Sequence, residues 1–87
     1  MEIKIRYSKH ALEQINERNI SKKMIRKTLL NPEQIIIGKN KRKIAQSVYD
    51  IKGKKFLLRV IFVEKEDCLE VITTYLTTKI DKYWRIN

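Results

Sequence analysis

Polar and apolar residues alternate through Glu2-Ile3-Lys4-Ile5-Arg6-Tyr7. That period of two predicts a strand over 2–7 with Ile3, Ile5 and Tyr7 on one face. The period then changes to that of a helix. Ser8 is an N-cap residue, and Ala11, Leu12 and Ile15 form the apolar stripe of a helix ending near Arg18. Asn19-Ile20 breaks it, Ser21 caps a second helix, and Met24, Ile25, Thr28 and Leu29 share one of its faces. Asn31-Pro32 ends that helix, because the residue before a proline is pushed out of the helical region. Strands follow at 34–37, 44–51, 54–63 and 68–76. They are separated by a basic loop at Lys39–Lys43, a two-residue hairpin turn at Lys52-Gly53 and a turn over 64–67. Thr77 to Asn87 reads as a short polar tail containing Tyr83 and Trp84. The order predicts an α+β fold: β-α-α followed by an antiparallel β meander, with two helices packed on one face of the sheet.

Counting outward from the turns predicts the strand registers. Lys52-Gly53 as a loop sets Gln46 opposite Arg59 and Asp50 opposite Lys55, the latter an expected ion pair. A four-residue loop over 64–67 sets Val63 opposite Cys68 and Arg59 opposite Ile72. One face then carries Ala45, Ser47, Tyr49, Phe56, Leu58, Val60, Phe62, Leu69, Val71, Thr73 and Tyr75, and receives the helices. The other face is mixed, with Arg59 at its middle and Thr74 and Glu70 nearby. An arginine in the most apolar strand needs a partner or solvent, and Glu70 is the expected partner.

Length and charge narrow the picture. Eighty-seven residues allow one domain over 1–87, too small for a large internal cavity, so a site is expected in a surface groove. The alternating N-terminus does not read as a signal peptide, and no apolar run reaches the roughly 20 residues of a membrane span. A cytoplasmic location is expected, with no membrane partner. One histidine and one cysteine, Cys68, do not form a spaced metal-ligand set, and no cofactor is expected. The net charge is +10, and it is uneven. The only acidic concentration is Glu64, Glu66, Asp67 and Glu70. The rest offers a positive surface suited to nucleic acid or an acidic protein.

Several segments resemble a known family. Tyr7-Ser8-Lys9-His10-Ala11, followed by Glu17-Arg18-Asn19-Ile20-Ser21, is similar to a "His-Ala … Glu-Arg-Gly-Ile-Ser" pattern of small bacterial and archaeal domains of unknown function. Leu29-Leu30-Asn31-Pro32-Glu33, Leu57-Leu58-Arg59-Val60-Ile61 and Val71-Ile72-Thr73-Thr74-Tyr75 match further, with Trp84 beyond. The departure is Asn19 in place of glycine, and asparagine also tolerates the left-handed conformation. These domains resemble BrnT and, more distantly, the RelE/ParE toxins. The resemblance implies the toxin of a type II toxin–antitoxin pair, with a cognate antitoxin as partner. It also implies either a metal-free endoribonuclease acting on messenger RNA, free or on the ribosome, or a non-catalytic basic module that binds nucleic acid or inhibits a protein such as gyrase.

Metal-free RNA cleavage turns the ribose 2′-OH against its own phosphate and needs a base, a cation and an acid. Arg59 suits the cation, since its planar fork grips two phosphate oxygens. His10, the only residue type that ordinarily titrates near neutrality, is a candidate base. Arg18 lies roughly 80° from it around the helix. The resemblance adds Tyr75, as a strand-end tyrosine that stacks on or protonates substrate, and Lys54. Lys39, Lys41, Arg42 and Lys43 are candidate phosphate contacts, and Trp84 a base-stacking residue. Each also has an ordinary structural reading: a paired strand arginine, a locally packed histidine, a solvated loop, or a tryptophan that locks the tail.

Overall fold

A computed structural model describes residues 3–86. Glu2, in the expected first strand, lies outside them. The element order is β1 (Ile5–Tyr7), α1 (Lys9–Arg18), α2 (Lys22–Leu30), β2 (Gln34–Ile37), β3 (Arg42–Ile51), β4 (Lys54–Glu64), β5 (Leu69–Thr77) and α3 (Ile80–Tyr83). This is a mixed α+β fold with a five-stranded sheet ordered β1-β5-β4-β3-β2. β1 runs parallel to β5, and the other neighbours are antiparallel. Both helix starts lie where the serines predict them. Ser8 Oγ accepts from Ala11 N at 3.0 Å and Ser21 Oγ from Met24 N at 3.3 Å. Asn19 ends α1 in the left-handed conformation, φ 52°, as an asparagine can.

The core lies between the helices and one sheet face. Ala11, Ile20, Ile25 and Leu29 pack with Ala45, Leu58, Val60, Phe62 and Val71. The Thr28 hydroxyl meets the Tyr49 hydroxyl at 2.8 Å and ties α2 to β3. The tail does not remain a loop. It turns through α3 and crosses the opposite sheet face, where Gln46 Nε2 donates to the Tyr83 carbonyl at 3.2 Å. The Gln34 amide donates to Arg85 O at 2.7 Å and accepts from Arg85 N at 3.1 Å.

The β3–β4 hairpin has the expected register, with Gln46 opposite Arg59 and Asp50 opposite Lys55. Its turn places Lys52 at φ 53° and Gly53 at φ 83°, the two positive values that a primed hairpin turn requires. The Asp50 carboxylate accepts from Gly53 N at 2.9 Å, so it caps the turn rather than pairing with Lys55. The expected basic loop is shorter, because β3 already begins at Arg42.

The β4–β5 register differs from the expected one. Val63 faces Glu70 and Phe62 faces Val71, but Ile61 faces Thr73 and Arg59 faces Tyr75. Ile72 is left without a partner, as the extra residue of a bulge. One extra residue inverts the alternation beyond it. Thr74 and Leu76 therefore turn to the helix side and Thr73 and Tyr75 to the Arg59 side, the reverse of the expectation for Thr73, Thr74 and Tyr75. Ser8 holds the bulge: its N–H donates to Val71 O at 2.9 Å and its hydroxyl to Ile72 O at 2.7 Å.

Candidate functional site

Arg59 lies mid-strand in β4 on the face opposite the helices, only 9% exposed. Burying a charge is costly unless it is paired, yet no carboxylate among the described residues contacts it. Among the described residues the side-chain ion pairs are Lys43–Glu64 and Lys65–Glu70. Glu70, the expected partner, is thus engaged by Lys65 at 3.0 Å. Neutral groups hold Arg59 instead. Its Nε donates to Gln46 Oε1 at 3.0 Å and its Nη1 to the Tyr75 hydroxyl at 2.6 Å. The guanidinium lies 4.2 Å from the Tyr83 ring centre and 5.7 Å from that of Tyr75, within cation–π range. The two rings meet edge to face at 6.1 Å.

A chain of amides fixes this arrangement. Gln46 is fully buried and donates to Gln34 Oε1 at 2.7 Å, which orients its own carbonyl oxygen toward Arg59. From the other side Thr74 Oγ1 donates to the Arg59 carbonyl at 2.9 Å. Among the described residues every buried side-chain nitrogen and oxygen has a partner. Nη2 has none among the described residues, so that prong of the fork is not sealed within the polar network.

The two phenols are tuned in opposite directions. Burial pushes Tyr75 above its ordinary value, against the pull of Arg59. Tyr83 is drawn below its ordinary value, first by hydrogen bonding from Tyr75 and then by Lys82 and Arg59. The Tyr75 hydroxyl thus accepts from Arg59, and its ring lies edge to face beside Tyr83.

Of the residues expected at the site, only Arg59 and Tyr75 come together. His10 is exposed in the first turn of α1 and Arg18 exposed in its last turn, both in the helix layer on the far side of the sheet. Lys54 starts β4, about 17 Å along the strand from Arg59 at strand rise. Its ammonium lies over Phe56 at 5.9 Å, and its register places it on the helix face. Lys55 shares the Arg59 face instead. Lys39 and Lys41 are exposed in the β2–β3 turn, and Arg42 is exposed on the Arg59 face of β3. Lys43 sits on the helix face in an ion pair with Glu64, so it is not a free phosphate contact. Trp84 is half-buried and closes α3, its N–H donating to Ile80 O at 2.8 Å.

Sequence reading missed Gln34, Gln46 as a ligand of Arg59, and Tyr83. Gln46 opposite Arg59 was the available signal, since a buried amide across from a buried cation is a hydrogen-bond pair. Among the described residues no three His, Cys, Asp or Glu side chains gather as metal ligands, and no helix is long and apolar enough to cross a membrane.

Fold and site together define a small mixed α+β protein built around a buried arginine. A family model described as a domain of unknown function, DUF4258, matches residues 7–76, and the chain belongs to that family. The match spans Gln34, Gln46, Arg59 and Tyr75 and ends before Tyr83. No curated protein and no solved structure matches the chain.

Proposed function

We propose that the protein is a RelE-like toxin of a type II toxin–antitoxin pair, a cytoplasmic metal-free endoribonuclease whose centre is Arg59, with a cognate antitoxin as its partner. The observation that carries this reading is a buried guanidinium with no carboxylate partner among the described residues, its Nη1 on the Tyr75 hydroxyl and its centre 4.2 Å from the Tyr83 ring centre. Such a cation is under-neutralised, and a phosphodiester anion, and still more the phosphorane-like transition state formed from it, supplies what it lacks. In the proposed reaction the ribose 2′-oxygen attacks its phosphorus as its proton passes to the Tyr83 oxygen, which acts as the base in its ionised, tyrosinate form. The bond to the 5′-oxygen breaks, Tyr75 returns a proton to that oxygen, and a 2′,3′-cyclic phosphate is left. Arg59, with Nε on Gln46 and Nη1 on Tyr75, holds a non-bridging oxygen through Nη2 throughout. Arg42 and Lys55 on the same face, with Lys39 and Lys41 beyond, position the neighbouring phosphates.

A second reading, a non-catalytic basic module, is favoured by another observation. The Tyr83 ring covers Arg59 at 4.2 Å, and His10, Arg18 and Lys54 lie elsewhere. The two readings separate when wild type and Arg59→Ala are induced in cells, RNA ends are mapped, and circular dichroism verifies the fold of the variant. The ribonuclease reading expects growth arrest with new RNA ends that vanish in Arg59→Ala. Arrest with intact RNA supports a protein target, and no arrest sinks the toxin reading.

A further inference from the structure

The outer edge of β2 offers a second surface, independent of the Arg59 site. β2 is an edge strand, with β3 its only neighbour among the described residues. The bond from Gly38 N to Arg42 O at 2.7 Å sets the phase of the ladder. A Cβ at Gly38 would lie 3.1 Å from that same oxygen, so the close approach depends on glycine. By the alternation of an antiparallel pair, Gln34 and Ile36 spend their backbone groups on β3, and Ile35 and Ile37 point theirs outward. Those same two residues have the exposed side chains, Ile35 at 51% and Ile37 at 71%, on the helix side of the sheet. Leu30, at the end of α2 on that side, is 46% exposed.

The other edges are shorter or partly covered. Where β3 runs past β2, the Glu33 carboxylate accepts from Val48 N at 2.6 Å, and Ser47 Oγ accepts from Glu33 N at 3.1 Å. β1 at the opposite edge has three residues, and Arg26 Nη1 donates to Ile3 O at 3.4 Å just before it. Edge strands are ordinarily blunted by charge, proline or brevity, and Gln34–Ile37, though only four residues long, carries neither charge nor proline.

We infer that β2 is a docking edge for an extended acidic polypeptide segment, which adds as a further antiparallel or parallel strand and lays apolar side chains against Ile35 and Ile37. Free N–H and C=O groups flanked by isoleucines select a polypeptide over a nucleic acid, because backbone pairing supplies affinity and alternate apolar side chains specificity. Charge selects its sign. Lys39, Lys41 and Arg42 are exposed at one end of the strand, and the acid at the other end, Glu33, is engaged by Val48 N. A second copy of the chain would bring another +10 to this edge, and like charges at close range oppose it.

The test uses the labelled full-length protein and three short synthetic peptides. One alternates valine and glutamate, one alternates valine and lysine, and the third matches the first in charge but is interrupted by prolines. The valine–glutamate peptide is expected to shift the Ile35 and Ile37 amides and to slow their hydrogen exchange by about tenfold or more. The other two peptides are expected to leave both amides unchanged. Ile37→Pro removes one outward N–H without costing a ladder bond and is expected to weaken binding by about tenfold. Equal binding of the proline-interrupted peptide would reduce the edge to simple charge attraction and overturn the inference. So would unchanged exchange at Ile35 and Ile37 under millimolar peptide, or equal protection of these amides by a single-stranded RNA oligonucleotide. The peptide comparison decides the matter even if Ile37→Pro does not fold.

Discussion

Arg59 keeps a full charge where charge is expensive, and its neighbours show how the cost is contained. Gln46 and Tyr75 supply oxygens, Tyr83 and Tyr75 supply π faces, and Nη2 is left without a partner among the described residues. Pairing with Glu70 would have neutralised it, but a neutralised arginine holds an incoming anion less well. The phenols report on this charge. Tyr83 is drawn below its ordinary value by Tyr75, Lys82 and Arg59, and Arg59 also pulls against the burial that raises Tyr75. Tyrosinate absorbance followed against pH is therefore expected to show one phenol ionising ahead of the others. That early step should disappear in Tyr83→Phe, and Arg59→Gln should move both Tyr75 and Tyr83 upward. The sign for stability follows. Tyr83, lowered in the folded chain, adds stability as pH rises from its lowered value toward the ordinary one, and the addition is lost on acidification. Tyr75, raised by burial, contributes at lower pH and loses that contribution as pH climbs through its raised value.

At the scale of elements, one unpaired residue decides which side chains can meet. The bulge at Ile72 inverts β5, brings Tyr75 opposite Arg59 and sends Thr74 to the core side. Nothing in the local pattern Val71-Ile72-Thr73-Thr74-Tyr75 marks it, because β-branched residues suit either face. Its anchor comes from a distant part of the chain. Ser8 caps α1 and also binds the carbonyls of Val71 and Ile72, so helix start, parallel strand pair and bulge share one residue. Ser8→Ala removes both hydroxyl bonds and is expected to cost about 1–2 kcal/mol, measured as a lowered urea midpoint with an unchanged slope. The helices are legible for the opposite reason. Ser8, Ser21, Asn19 and Asn31-Pro32 act on their own neighbours, and local chemistry can be read locally.

For the molecule as a whole, the apolar core and the polar network around Arg59 lie on opposite sides of one sheet. The helix side holds the core built on Leu58, Val60, Phe62 and Val71. The other side holds the polar network around Arg59, covered by the tail. Leu58→Ala is expected to cost about 2–5 kcal/mol in urea unfolding, a large share of what a small domain has, without altering the tyrosine titration unless the fold itself is lost. The sequence by itself determined the α+β class, both helices with their caps, the β3–β4 hairpin and its register, and Arg59 as the charge at the middle of the mixed face. Each of these rests on a period, a cap or a two-residue turn, interactions that span a few positions. Only the tertiary structure decided the parallel pairing of β1 with β5, the bulge, the turn of the tail into α3 and its path over the sheet. It alone separated His10, Arg18 and Lys54 from Arg59 and brought Tyr83 and Gln34 toward it. These are contacts between residues tens of positions apart, where the free energy comes from closing a packed and hydrogen-bonded whole that no short window of sequence contains.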